Sequence, residues 1–155
     1  MKKQDNREPE IIALEKYLRV IRQSFGWTAE ELAKQIGVVR QTISSIENGT
    51  GKLNLTEYLA IRLRFEQEIE KHPDDTQMAK ALLDAFVDNP NDMDKYSEEA
   101  RKEMLKNAKH MAPSIVIANE SRKEVSKNWE TIVGIIAGLS AATIAGIAIA
   151  LWRKK

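Results

Sequence analysis

Residues 28–49 read TAEELAKQIGVVRQTISSIENG, and this stretch decides how the N-terminal half of the chain folds. Thr28, with Glu31 three residues later, has the pattern of a capping box, which predicts that a helix begins after Thr28. Gly37 then predicts a sharp turn, because glycine adopts a positive φ at little cost. A second short helix is predicted over 40–47, so the stretch indicates two helices joined by a tight turn.

Helical patterns also lie on both sides of this stretch. Apolar residues recur every three or four positions over 10–25, which predicts an amphipathic helix. Thr56 is the predicted cap of a helix over 57–71. Further helices are predicted over 76–88 and from Ser97 to about His110, with another interruption at Pro113. Since no segment alternates with period 2, the fold class is predicted to be all-α.

The pattern of residues 28–49 resembles the lambda-repressor-like (Xre/Cro-type) helix-turn-helix family. The usual family sequence is close to S-Q-E-E-L-A-x-x-x-G-V-S-R-Q-T-I-S-x-I-E-N-G, and the match here has no gaps. The resemblance implies a five-helix lambda-repressor-like DNA-binding head. Two positions depart from the family: Ala29 replaces a Gln that often binds a phosphate, and Val39 replaces the Ser or Thr that usually caps the second helix of the motif.

The resemblance also implies which side chains meet DNA, since the second helix of the motif enters the major groove in this family. Arg40, Gln41 and Ser45 are predicted to face base edges. Arginine suits the two acceptors of guanine, and glutamine suits the donor and acceptor of adenine. Thr42 and Asn48 are predicted to contact phosphates. The complete predicted DNA-binding set is Arg40, Gln41, Thr42, Ser44, Ser45 and Asn48.

Net charge gives this prediction little support. Residues 1–72 carry 12 Lys and Arg against 11 Asp and Glu, and residues 73–128 carry 9 against 11. Domains that bind nucleic acid usually have a clear excess of basic residues, because neutralising phosphates dominates their affinity. Any contact with DNA must therefore depend on where individual charges lie.

The C-terminal segment from Ile132 to Trp152 contains 21 residues without a charge. As a helix it would span roughly 30 Å, the thickness of the hydrocarbon core of a bilayer, so the sequence predicts a single C-terminal transmembrane helix. Small residues recur in it every four positions, which predicts helix–helix association, although Gly and Ala are also common in membrane helices. This helix–helix stripe is Gly134, Gly138, Ala142, Gly146 and Ala150.

These patterns predict four regions and a location. The regions are a helix-turn-helix domain at 1–72, a helical extension at 73–112, a juxtamembrane linker at 113–128, and the transmembrane helix with its basic tail at 129–155. No signal peptide pattern occurs near Met1, so the head is expected in the cytoplasm of a single-pass protein of the cell membrane. Basic residues flank the apolar segment on both sides, so charge alone leaves its orientation open.

No constellation of residues indicates catalysis. The chain has no cysteine, and its two histidines, His72 and His110, have no neighbours at the spacing of a metal site. We therefore expect no enzymatic activity, no catalytic residues, no bound metal and no cofactor.

The first functional hypothesis is a prokaryotic or phage transcriptional regulator anchored to the membrane. It would bind double-stranded DNA as a homodimer and read a two-fold operator through the helix at 40–47. The alternative hypothesis is a membrane-tethered protein-interaction module of the RodZ type, in which the helix-turn-helix binds a protein rather than DNA.

Overall fold

The computed structural model describes residues 4–91 and 94–120. This part of the chain contains six α-helices and no β-strand. The helices are α1 (Pro9–Ser24), α2 (Ala29–Ile36), α3 (Arg40–Glu47), α4 (Leu55–Lys71), α5 (Gln77–Leu83) and α6 (Glu98–Glu120), and a π-helical turn (Asp84–Asp88) directly follows α5. The predicted all-α character is therefore confirmed for the described residues.

Helix α1 lies at the centre of the core. Its apolar residues Ile11, Leu14, Leu18 and Ile21 recur with helical spacing, and each is at most 4% exposed. Helices α3, α4, α5 and α6 all contact α1. The helix-turn-helix and the C-terminal helices thus share one hydrophobic core, and α1 holds them together.

The predicted cap of α2 is confirmed, and the predicted cap of α4 is corrected. The Thr28 side chain accepts a hydrogen bond from the Glu31 N–H, and the Glu31 carboxylate accepts one from the Thr28 N–H. For α4 the capping residue is Asn54, which forms the same reciprocal pair with Glu57, so the cap lies two residues before the predicted cap Thr56 and α4 begins at Leu55. Asn accepts from the N3 N–H as well as Thr does, which explains why either residue fits the pattern.

The last helix is longer than predicted. It was expected to end near His110, with an interruption at Pro113, but α6 continues through Pro113 to Glu120. Proline removes the hydrogen bond to the carbonyl of residue 109. Both Lys109 and Pro113 are exposed, so this gap in the hydrogen bonding lies on the solvent side of the helix, where the carbonyl of Lys109 is accessible to water. The buried side of α6 carries Met104, Ala108, Met111, Ala112 and Ile115.

The predicted transmembrane helix requires a correction. The longest helix in residues 4–91 and 94–120 is α6, whose 23 residues include many charged side chains. No helix in these residues is both long and apolar enough to cross a bilayer. We therefore correct the predicted fold class, which included a single C-terminal transmembrane helix, to an all-α fold. The predicted single-pass location in the cell membrane is corrected on the same finding.

The residues that suggested the span are not part of the structure as described. The segment from Ile132 to Trp152 lies outside the described residues, and so does its stripe of small residues (Gly134, Gly138, Ala142, Gly146 and Ala150).

Candidate nucleic-acid interface

The turn between α2 and α3 has the geometry that its sequence predicts. Gly37 ends α2 with φ 76°, in the left-handed region where a side chain would be strained. The N–H of Val38 donates to the carbonyl of Ala33 at 3.0 Å and closes the turn. Val39 precedes α3 in an extended conformation, and no side chain caps that helix. The absence of a cap, expected from the departure at Val39, is therefore confirmed.

Helix α3 has one buried side and one outward side. Ile43 and Ile46 are at most 3% exposed and pack into the core, as the sequence pattern predicts. The outward side carries Gln41 and Asn48, both exposed, with Ser45 half-buried between them at helical spacing. This side of α3 therefore presents polar groups that can donate or accept hydrogen bonds.

The structure places the six predicted DNA-binding residues on one short helix and its C-terminal cap. Arg40 and Gln41 are exposed at the N-terminal end of α3. Thr42, Ser44 and Ser45 are half-buried. Asn48 is exposed at the C-terminal end, where its amide oxygen accepts a hydrogen bond from Nη2 of Arg19 at 2.6 Å. The geometry brings these residues together, and their contacts with DNA remain predictions.

A buried ion pair fixes α3 to α1. Nε and Nη2 of Arg22 donate to the Glu47 carboxylate at 2.7 and 2.9 Å, and Nη1 donates to the carbonyl of Trp27 at 2.6 Å. Arg22 is only 6% exposed, and the side chain of Glu47 is 3% exposed. The bidentate geometry leaves α3 little freedom to rotate against α1. This pair therefore sets which side of α3 faces outward.

Sequence reasoning missed this pair and its exposed neighbour Arg19. Arg22 follows Leu18 by four residues, so a charged residue lies on the apolar side of α1, and that position was a signal that it needed a buried partner. Arg19 also reaches the Glu47 carboxylate at 3.4 Å, but its side chain is 55% exposed. It adds a cation beside Asn48, at the C-terminal end of α3.

The loop after α3 is attached to α1 by a second polar network. Nη1 of Arg7 donates to the Glu15 carboxylate and to the carbonyl of Leu53, both at 2.7 Å. The N–H of Leu53 donates to the same carboxylate at 2.7 Å. Burial acts to raise the pKa of Glu15, but the hydrogen bonds from Arg7 and Leu53 outweigh it and hold that pKa below its ordinary value. Glu15 is therefore an ionised anchor for the loop.

Helix α2 is held against α4 by contacts of a different kind. Arg64 of α4 donates from Nε and Nη2 to the side-chain oxygen of Gln35 at 2.9 and 2.8 Å. The rings of Phe25, Trp27 and Phe65 stack beneath this contact, with the centroids of Phe25 and Phe65 4.4 Å apart. These contacts complete a rigid frame in which α2 and α3 have fixed positions.

The surface beside the N-terminal ends of α2 and α3 carries charges of both signs. A polar groove of about 450 Å³ lies there between Thr28, Glu30, Lys34 and Arg40. Lys34 pairs with Glu30 at 3.5 Å, and both side chains are mostly exposed. The local charge is therefore mixed, in agreement with the nearly neutral balance over residues 1–72.

Two comparisons connect this geometry with known proteins. Residues 11–65 match a protein-family model described as helix-turn-helix. Two curated relatives, both named antitoxin HipB and both from strains of Escherichia coli, are 43% identical to this chain over 44 residues. That stretch is 28% of this chain and 47% or 50% of the relative, so the chain spans about half the length of the curated relatives that it matches.

No solved structure matches the chain at a significant level. The sequence match and the geometry agree on the same segment, because α2, α3 and most of α1 and α4 fall within residues 11–65. Residues 11–65 are therefore similar in sequence to the helix-turn-helix family, and the rest of the chain lies outside the match.

Proposed function

We propose that this chain is a DNA-binding transcriptional regulator that reads a two-fold operator as a homodimer, with α3 in the major groove. One observation carries the proposal: α3 is held by buried contacts on one side and presents Arg40 and Gln41 to solvent at its N-terminal end. A recognition helix enters the groove with its N-terminal residues against base edges. The family match over residues 11–65 supports the same reading.

Each of the six predicted DNA-binding residues has a role in this proposal. Arg40 donates to O6 and N7 of a guanine, and Gln41 pairs with N6 and N7 of an adenine. Ser45 faces a base edge further along the groove, and Thr42, Ser44 and Asn48 contact the sugar-phosphate backbone. Arg19 adds a phosphate contact beside Asn48, since its guanidinium is more than half exposed there. These cations supply the local positive charge that the net charge lacks.

An operator selection tests the proposal. The full chain is incubated with random duplexes, and the bound sequences are recovered and aligned. We expect a preferred sequence with two-fold symmetry. Affinity for it should fall steeply with salt, because the logarithm of the binding constant changes by about 0.9 per decade of salt for each neutralised phosphate. If no sequence preference emerges, the proposal is wrong.

A double variant connects the preference with α3. Arg40→Ala with Gln41→Ala removes two base contacts, each worth about 1–3 kcal/mol of discrimination, so the preference for the operator should disappear. The matched control is Lys80→Ala with Gln77→Ala, which removes one cation and one amide from α5. Circular dichroism should show both proteins folded. Equal losses of preference in the two variants would contradict the assigned role of α3.

The second candidate is a protein-binding module that uses the same helix-turn-helix. Two observations favour it: residues 1–72 are nearly neutral, and Glu30 and Glu31 lie beside Arg40 in the polar groove. The same selection separates the candidates, because a protein-binding module would recover no common operator.

A further inference from the structure

Helix α4 carries a row of exposed leucines. Leu55, Leu59 and Leu63 follow one another every four residues, so they lie on one side of the helix. They are 57%, 56% and 56% exposed. Within the described part of the chain only five large apolar side chains are exposed, and three of them are in this leucine row. A contiguous apolar patch of this kind marks an interaction surface more often than isolated exposed residues do.

The opposite side of α4 already packs into the core. Ile61 and Phe65 are fully buried there. A surface helix usually has one apolar side, whereas α4 has two, and the leucine row is the side that residues 4–91 and 94–120 leave uncovered.

We propose that a second copy of this chain covers the leucine row, with α4 packed antiparallel against its equivalent and the two-fold axis at Leu59. The row is symmetric about that residue, because Leu55 lies four residues before it and Leu63 four residues after it. An antiparallel pair therefore places Leu55 of each copy opposite Leu63 of the other. A two-fold interface must be self-complementary in this way.

The charges at the two ends of the row favour the same arrangement. Lys52 lies seven residues before Leu59, in the loop preceding α4, and Glu66 lies seven residues after it. Their side chains are 76% and 62% exposed, although each also lies near an opposite charge of its own chain, Lys52 at 3.9 Å from Asp5 and Glu66 at 3.2 Å from Arg62. The antiparallel pair brings Lys52 of each copy to the end of the row that carries Glu66 of the other copy. A parallel pair would place like charges together, which disfavours it.

This inference rests on the proposed function in one respect, since it names the surface through which the homodimer forms. Three leucines per copy bury less than the roughly 800 Å² per partner of a standard stable interface, so the free dimer should be weak. When two copies bind the two half-sites of one operator, the DNA holds them close together. This raises the effective concentration of each copy at the interface of the other. Binding to the operator should therefore be cooperative in protein concentration.

Crosslinking tests the arrangement directly, because the chain has no cysteine of its own. In the full chain, Leu59→Cys places a single thiol on the proposed axis, next to its equivalent in the second copy. Under mild oxidation it should form a disulfide-linked dimer at least about tenfold faster than Ile117→Cys, since a thiol within a dimer meets its partner at an effective concentration near millimolar. Ile117 is the matched control, because it is 65% exposed on α6.

Charge reversal tests the antiparallel direction. In the Leu59→Cys background, Lys52→Glu and Glu66→Lys should each slow crosslinking severalfold, and the two together should restore it, because the pair is then reversed rather than broken. Equal rates for Leu59→Cys and Ile117→Cys would overturn the proposed interface. Crosslinking without the rescue would overturn the antiparallel arrangement.

The failure of this inference can be told apart from failure of the proposed function. Leu59→Asp should lose cooperative binding to a two-fold operator while it still binds a duplex with one half-site. If Leu59→Asp keeps full cooperativity on the operator, the leucine row is not the interface and the DNA-binding role stands. If the unmodified chain binds neither duplex while Leu59→Cys still crosslinks, the interface stands and the DNA-binding role is wrong.

Discussion

Single residues determine which side of α3 faces solvent, and the buried pair of Arg22 and Glu47 is the clearest case. We expect Glu47→Ala to lower the free energy of unfolding by about 3–5 kcal/mol, because it leaves the Arg22 guanidinium buried without its carboxylate. Urea denaturation measures the loss. The matched control is Glu30→Ala, which breaks the exposed pair with Lys34 and should cost less than about 1 kcal/mol. Equal losses in both variants would contradict the assigned role of the buried pair.

A second residue-scale prediction concerns acid. Because the pKa of Glu15 is lowered in the folded chain, its contribution to stability is fully present above its ordinary value of 4.5 and is lost as the pH falls below that value towards the folded pKa. Glu15→Gln should be less stable than the natural chain by about 1–3 kcal/mol at neutral pH. The difference should shrink below pH 4.5. Urea denaturation over a pH series measures it, and a difference that stays constant in acid would contradict the ionised network.

The residue scale also shows what the sequence could and could not predict. The capping box at Thr28, the turn at Gly37 and the burial of Ile43 follow from local patterns, and all three were predicted correctly. The partner of Arg22 lies 25 residues away along the chain, so no local pattern identifies it. Sequence reasoning therefore found the exposed side of α3 and missed the contacts that orient it.

At the scale of the element, α3 begins without a cap. Val39 is extended, 68% exposed, and offers no acceptor to the first N–H groups of the helix. We expect Val39→Ser to raise the free energy of unfolding by about 1 kcal/mol relative to Val39→Ala, because serine supplies the missing acceptor. Thermal unfolding compares the two variants, which lose the same valine contacts. Identical stabilities would show that the first turn of α3 is already satisfied by other means.

A second prediction at the scale of the element concerns the contact between α6 and the turn after α1. The Asn119 side chain donates to the Gly26 carbonyl, and a Cβ at Gly26 would lie 2.8 Å from the Cβ of Asn119. Gly26 and Gly37 both have positive φ, but nothing lies within 4 Å of a Cβ at Gly37. Gly37→Ala should therefore cost only the backbone strain of about 1–2 kcal/mol, and Gly26→Ala should cost more in urea denaturation.

Removing the Asn119 side chain tests why Gly26→Ala should cost more stability than Gly37→Ala. In an Asn119→Gly background the added cost of Gly26→Ala should fall towards that of Gly37→Ala, since the clashing Cβ is absent. An undiminished cost would show that the contact with α6 is not what constrains Gly26.

At the scale of the whole molecule, α6 enlarges the head beyond the five helices that the resemblance implied. The sequence predicted a helix ending near His110, because Pro113 is a strong local signal, and tertiary packing overrode it. Residues after Pro113 still bury Ile115 and reach the turn at Gly26. Contacts between segments so distant along the chain cannot be deduced from periodicity. Periodicity therefore predicted the apolar side of α1, but it did not predict that α6 packs against α1.

The shared core predicts that the head and α6 unfold together. Ile115 is 6% exposed, so Ile115→Ala should lower the free energy of unfolding by about 2–5 kcal/mol through the cavity that it leaves. Because α1 packs against α6, amide hydrogen exchange should show the same loss of protection in both helices. Ile117→Ala, two residues later and 65% exposed, should change protection by less than about 0.5 kcal/mol. Loss of protection confined to α6, with α1 unchanged, would mean that the C-terminal helix is a separate cooperative unit added to an independent head.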